Sequence, residues 1–326
     1  MPMKRSNRWI PWIGMIAGLL LLTFGIWGYG TPSDGEKKEI VLVIKIIDSS
    51  NEFWTALVQG AQMAAKEYDV NLTVAGPEAE TEYEIQGDMI REAVEKTPDA
   101  IVLAPSSYTE TAKYAHMIED AGIPLVLVDS LMEEEMGSCV VATDNVEAGR
   151  KMGEYIAENY PEEAVIGVVA HVQGSSTATE REEGLRNGLK ELEDSIVDTV
   201  YCDSDYEKSY QVTMEMLERH PDINVIAGLN EYSAVGAARA VRTLGLTDQI
   251  HMIGFDSSLE EVHYLEDGTF DAIVMQKPLN MGYLCVERTV QLLNKEKVAS
   301  NVDSGSVLIT KETMYSEENQ KLLFPF

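Results

Sequence analysis

The stretch IVLVIKIIDSSNEFW, residues 40–54, decides the fold. Seven of its first eight residues are apolar and most are β-branched, which reads as a strand covered on both faces, the habit of parallel sheets. A polar turn follows, and then Phe53 and Trp54 open a segment, 53–68, in which Leu57, Ala61, Ala64 and Ala65 recur at helical spacing. Strand, turn and helix in that order are the first half of a βαβ unit.

The rhythm repeats along the chain. Strands are predicted at 40–47, 70–75, 100–103, 124–128, 139–142, 165–170, 196–201, 225–228, 251–254, 272–275 and 307–309, and nearly all are continuously apolar. Asp144 is an expected N-cap for a helix running through Met152 to Tyr160 before Pro161. Eleven strands exceed one comfortable doubly wound sheet, so the expected class is α/β with two doubly wound parallel-sheet lobes.

The full chain has 326 residues, 55 acidic against 25 basic side chains and a formal net charge of −30. Such a surface repels a phosphate backbone, which excludes nucleic acid as a partner class. Cys139, Cys202 and Cys285 are scattered without CxxC or His-paired spacing, so they read as small buried residues rather than a disulfide framework or zinc site.

Residues 1–30 read as a signal peptide or membrane anchor. Lys4, Arg5 and Arg8 precede an uncharged run, 9–33, long enough for a spanning helix of about 20 residues. No cysteine follows the run to take a lipid, and Trp9, Trp12, Trp27 and Tyr29 flank it as interfacial aromatics do, which favours an uncleaved anchor. Gly28-Tyr29-Gly30 offers the alternative, a peptidase site whose cleavage would release the protein. The basic flank stays cytoplasmic, so the remainder is expected outside the cell membrane, after a polar linker at 31–38.

In open α/β sheets, ligands collect beyond the carboxyl ends of the strands. Here those ends are polar and aromatic: Asn51, Phe53 and Trp54 after the first strand, Asp129 after the fourth, then Tyr206, Asn230 with Glu231, Asp256 and Gln276. Carboxylates accept hydrogen bonds and amides both give and accept, which suits a polyol. Each residue also has a structural reading. Phe53 and Trp54 can staple the helix start, and Asp129 can cap a loop. Lys45 interrupts an apolar strand and must reach a carboxylate, Asp48 or Asp129, or a ligand. Ser106, Ser107 and Ser175 fit either ligand contacts or turns and caps.

On these motifs, together with Gly122-Ile123-Pro124, Thr143-Asp144-Asn145-Val146 with Gly149, Arg181-x-x-Gly184 and Gly254-Phe255-Asp256, the region 39–309 resembles the periplasmic binding protein-like family I. The likeness is to its ribose-type sugar-binding proteins, which deliver ligands to ABC importers. The resemblance implies a monomer of two lobes joined by a hinge, 39–143 plus 277–304 and 144–276 plus 305–326, closing on a sugar or polyol without cofactor or metal. It implies ligand contacts from Lys45, Asn51, Phe53, Trp54, Asp129, Arg181, Tyr206, Asn230, Asp256 and Gln276, with Ser130 and Thr179 standing where those relatives carry arginines. The lysine followed by Phe-Trp is also similar to receptors for furanosyl signalling compounds, so a membrane sensor is the alternative partner to an ABC permease.

Rival classes lack their motifs. No GxSxG, HExxH, GxxxxGK[ST] or strand-following GxGxxG occurs, and the five histidines stand in no nucleophile-and-base setting. A lactose-type repressor would begin with a helix-turn-helix, not a hydrophobic segment.

Overall fold

The computed structural model describes residues 37–160 and 164–324. The segment read as signal or anchor lies outside the described residues, as does most of the linker; among the described residues no helix is long and apolar enough to cross a membrane.

Two six-stranded sheets form the two lobes. The first contains β1 (Glu39–Val43), β2 (Asn71–Ala75), β3 (Ala100–Leu103), β4 (Leu125–Val128), β5 (Cys139–Ala142) and β11 (Asn301–Asp303), ordered β11-β5-β4-β3-β1-β2 and parallel throughout. The second contains β6 (Ile166–Ala170), β7 (Ile196–Tyr201), β8 (Val225–Gly228), β9 (His251–Phe255), β10 (Ala272–Gln276) and β12 (Ser306–Thr310), ordered β12-β10-β9-β8-β6-β7. Its last strand alone runs antiparallel, against β10.

Alternation along β1 shows why its sequence is apolar throughout. Ile40 and Leu42 join a core on one face of the first sheet, Val41 and Val43 a core on the other. Among the described residues ten α-helices cover the faces: α1 (Glu52–Glu67), α2 (Tyr83–Glu95), α3 (Ala112–Asp120), α4 (Asn145–Asn159), α5 (Ser176–Leu189), α6 (Tyr206–Arg219), α7 (Glu231–Leu244), α8 (Leu259–Asp267), α9 (Pro278–Leu293) and α10 (Glu317–Leu323). Asp144 caps α4, accepting from the Glu147 N–H at 2.9 Å. All three cysteines are buried and free.

The chain crosses between sheets after β5, after β10 and between β11 and β12. The crossovers are tied to one another: Thr143 Oγ1 lies 3.2 Å from Ser304 Oγ, and Asp303 Oδ1 accepts from the Asp144 N–H at 3.1 Å and the Gly305 N–H at 2.8 Å. Gly305 has φ +85°, a conformation that side chains resist, and so permits the turn from β11 into β12.

Two strand expectations differ from the structure. The run 40–47 pairs as a strand only to Val43, after which the chain leaves the ladder towards α1. β11 was not anticipated because Asn-Val-Asp carries no apolar run; it is a short, largely exposed edge, held by its register with β5.

Helices on each lobe meet backbone to backbone through glycines. A Cβ on Gly60 of α1 would lie 1.9 Å from Leu279 O of α9, and one on Gly184 of α5 only 2.0 Å from Val146 O of α4. Neither obstacle is a flexible side chain, so the helices themselves would have to part. Gly184→Ala is therefore expected to lower the unfolding free energy by about 1–3 kcal/mol, the usual cost of overpacking. Urea denaturation reads this, and an unchanged midpoint would show that α4 and α5 separate freely.

Candidate ligand-binding site

The carboxyl ends of both sheets converge on one small cavity. Each lobe brings an asparagine and an aspartate in matching positions. Asn51, after β1, caps α1 by accepting from the Trp54 N–H at 3.0 Å; Asn230, after β8, caps α7 by accepting from the Ser233 N–H at 2.9 Å. Asp129, after β4, and Asp256, after β9, hold φ at +67° and +88°. That region is costly for a side-chain-bearing residue, and it is secured here by each backbone N–H bonding the neighbouring strand, Val141 O and Val274 O, at 2.9 Å.

The aspartates are anchored differently. Asp129 Oδ2 takes the Lys45 ammonium at 2.9 Å and the Ser130 hydroxyl at 2.6 Å, and the ion pair is almost wholly buried. Asp256 accepts from Gln276 Nε2 at 2.7 Å and from the Glu231 N–H at 3.0 Å. Arg181 lies over the Phe255 ring, 3.9 Å from its centroid, while Nε donates to Asn145 Oδ1 and an Nη to Leu229 O. Phe53 and Trp54 meet edge to face at 5.1 Å and line the cavity while packing into the first lobe, so the stapling and site readings coexist.

Several hydrogen bonds join the lobes around the cavity. Glu80 Oε1 accepts from Trp54 Nε1 at 3.0 Å in its own lobe and Oε2 accepts from Ser204 Oγ at 2.7 Å in the other. Tyr232 donates to Asp48 at 2.8 Å. Glu231, braced by the Tyr206 hydroxyl at 2.5 Å, reaches from α7 to the Glu52 and Phe53 N–H groups at 3.2 and 3.3 Å. A carboxylate there faces the positive end of α1 and satisfies donors that have no partner within the helix.

A family model described as a periplasmic binding protein domain matches residues 40–297. The chain belongs to the periplasmic binding protein family. Among relatives of this family, the ribose import binding protein of Bacillus subtilis is 25% identical over 285 residues, 87% of this chain and 92% of that protein. The D-ribose/D-allose-binding protein of Pseudomonas aeruginosa is 27% identical, over 79% of this chain and 83% of its own. Among solved structures, a sugar transporter from Clostridium phytofermentans is 44% identical with a TM-score of 0.80, covering 84% of this chain and 99% of that one. An ABC transporter solute-binding protein from Agrobacterium vitis with bound D-fucose is 30% identical with a TM-score of 0.84, covering 88% and 100%. Periplasmic binding proteins of this kind are extracytoplasmic transport receptors, not enzymes.

Of the expected site residues, Lys45, Asn51, Phe53, Trp54, Asp129, Arg181, Asn230, Asp256 and Gln276 line the cavity. Three do not. Ser130 stands behind Asp129, spending its hydroxyl on that carboxylate. Thr179 is two residues from both Thr177 and Arg181, which share the inward face of α5; it is turned away and donates to Ser175 O at 3.0 Å. Tyr206 lies behind Tyr232, ring centroids 4.6 Å apart, and Tyr232 is the ring on the wall. The serines read as turn or cap candidates behave so at Ser107 and Ser175, which accept from the Glu110 and Ala178 N–H groups, while Ser106 is buried beside Gln86.

Glu80, His171, Thr177 and Tyr232 line the cavity without having been singled out. His171 directly follows β6, where the strand-end rule points, although it stands in no catalytic setting. Thr177 and Tyr232 sit one turn or less inside their helices, and Glu80 is on a loop that no strand-end rule covers.

Burial pushes the Glu231 carboxyl up to about 7, and the charge of Asp256 adds to the rise. A carboxyl raised from its ordinary 4.5 keeps its proton in the folded protein where the unfolded chain releases it, so its contribution is complete below about pH 4.5 and is lost as pH rises through about 7. Glu231→Gln carries no such proton. The variant is expected to gain on the wild type by on the order of 3 kcal/mol between pH 5 and pH 8. Urea unfolding at a series of pH values measures the difference, and a gap that does not change with pH would remove the assignment.

Proposed function

We propose that the protein captures one small uncharged monosaccharide or related polyol between its lobes and delivers it to an ABC permease. The observation that carries this reading is the convergence, from both sheets, of carboxylates, amides and the aromatic rings of Phe53, Trp54 and Tyr232 on one small cavity. Hydroxyls satisfy the polar groups and the C–H faces of a sugar ring suit the aromatics. The cations on the wall support a neutral ligand: the Lys45 ammonium is paired with Asp129 and the Arg181 guanidinium is held by Asn145 and Leu229. The bound D-fucose of the Agrobacterium vitis protein and the ribose and allose named for the relatives support the same class.

Capture in this reading is closure about the three crossovers, lobe one being 39–143 plus 277–304 and lobe two 144–276 plus 305–326. Cross-cleft bonds such as Asp48 to Tyr232 exist only when the lobes meet, so a ligand touching both shifts the population towards the closed form. The uncharged run 9–33, with no cysteine at its end to take a lipid, supports a protein tethered outside the membrane by its N-terminus. The same tether favours a second reading, in which the closed form is presented to a membrane sensor.

Two measurements test these statements. Calorimetry against D-fucose, D-ribose, D-allose and polyols is expected to find a neutral ligand, with glucuronate and ribose 5-phosphate bound at least about a hundredfold more weakly because Lys45 is already paired with Asp129 and the carboxylates of Glu80 and Asp256 share the wall. Asp129→Asn or Asp256→Asn is expected to weaken that ligand by about tenfold to a hundredfold with the circular dichroism unchanged. Preference for the anions would sink the reading. For the tether, the mass of protein extracted from membranes should include residues 1–30, whereas a mass beginning after Gly30 would show a cleaved signal.

A further inference from the structure

His171, at the end of β6, has the surroundings of a ligand contact. The side chain is 2% exposed and forms part of the cavity wall. Its Nε2 lies 2.8 Å from Thr177 Oγ1, and Thr177 is itself buried on the same wall. The other ring nitrogen, Nδ1, is buried with no hydrogen-bond partner. A polar atom in that state is costly unless something supplies the missing bond. Gln276 Oε1 is also buried without a partner, and Gln276 lines the same cavity.

We infer that His171 is a specificity-determining contact of the sugar, its Nδ1 completing a hydrogen bond with one ligand hydroxyl while Thr177 fixes the ring. This rests on the sugar-receptor reading and narrows it. Gln276 donates through Nε2 to Asp256, so its amide is oriented and Oε1 offers only acceptance. A ligand group that answers it must donate. Burial, with Arg181 and Lys45 nearby, holds the imidazole well below its ordinary pKa, so the ring is neutral and has one N–H. Whichever nitrogen carries that proton, Thr177 takes the complementary part at Nε2, and a hydroxyl, which both donates and accepts, answers Nδ1 in either tautomer. An ionised carboxylate cannot donate to Gln276, and an ammonium can answer His171 only in the tautomer that leaves Nδ1 without a proton. Hydroxyls satisfy both residues, which ties this pair to an uncharged polyhydroxy ligand.

The test is a cycle of protein and ligand variants. Wild-type protein, His171→Phe, which keeps a flat ring without nitrogens, and His171→Gln, which keeps polarity, are titrated with whichever of D-fucose, D-ribose or D-allose binds the wild type most tightly. The titrations are repeated with each monodeoxy analogue of that sugar. His171→Phe is expected to weaken the parent sugar by about tenfold to a hundredfold, and one deoxy analogue should bind wild type and variant alike. His171→Gln should fall between them, and it serves as the test variant if the phenylalanine does not fold. Equal loss for every analogue would make the ring a packing element and overturn the assignment. So would unchanged affinity for the parent sugar. If the wild type binds none of the three, the sugar reading fails first and takes this assignment with it, an outcome distinguishable because it appears before any variant is made.

Discussion

The site depends on two aspartates held in a backbone conformation that a side chain disfavours. Asp129 and Asp256 occupy the left-handed region at the ends of β4 and β9, and each is kept there by a bond from its own N–H to the next strand in its sheet. Strain of about 1–3 kcal/mol persists only where surrounding structure enforces it. The enforcement here is the parallel ladder itself, and the same device appears once in each lobe. With Asn51 and Asn230 capping α1 and α7 at equivalent points, the two lobes present matched pairs of polar groups across one cleft. What differs is how each aspartate is neutralised: a buried lysine in the first lobe, an amide and a helix N–H in the second.

That difference decides what the cleft can hold. A buried ion pair gives little net stability, since desolvation offsets the attraction, but removing either partner leaves an uncompensated charge. Lys45 and Asp129 therefore act as a unit, and the ligand meets an already neutralised carboxylate. Asp256 has no lysine; Arg181 lies nearest in charge, and its guanidinium is stacked on Phe255 and tied to Asn145 and Leu229. Lys45 is spent on Asp129, while Arg181 is held by the neutral Asn145 and Leu229 with the charges of Asp256 and Asp129 nearby.

Much of this was legible in the sequence because burial on both faces of a parallel strand writes a continuous apolar run, and the residues after each run are where ligands gather. The strands from Ala100, Cys139, Ile196 and Val225 begin and end where the runs do. Nine of the residues that rule or the family resemblance singles out line the cavity. The misses have physical reasons. β11 is an exposed edge whose identity comes from register, not hydrophobicity. Thr179 is near the right place in sequence, but the rotation of α5 turns Thr177 and Arg181 to the cavity instead, and Tyr206 of α6 is screened from it by Tyr232 of α7. Glu80 is on a loop, and only the fold brings it to Trp54 and Ser204.

The bonds that span the cleft set a limit on how firmly it can shut. Glu80 to Ser204, Tyr232 to Asp48, Ser176 to the Leu131 N–H and Glu231 to the start of α1 are each worth about 1 kcal/mol net, since water would satisfy the same groups when the lobes part. A handful of such terms opposes the loss of hinge freedom without overwhelming it. The balance is then left for a ligand to tip, and in the reading proposed the atoms at His171 and Gln276 that no protein group partners are what it tips it with. A receptor whose lobes bonded each other completely would close empty and release nothing. One with an incomplete wall closes in proportion to how well its ligand completes it.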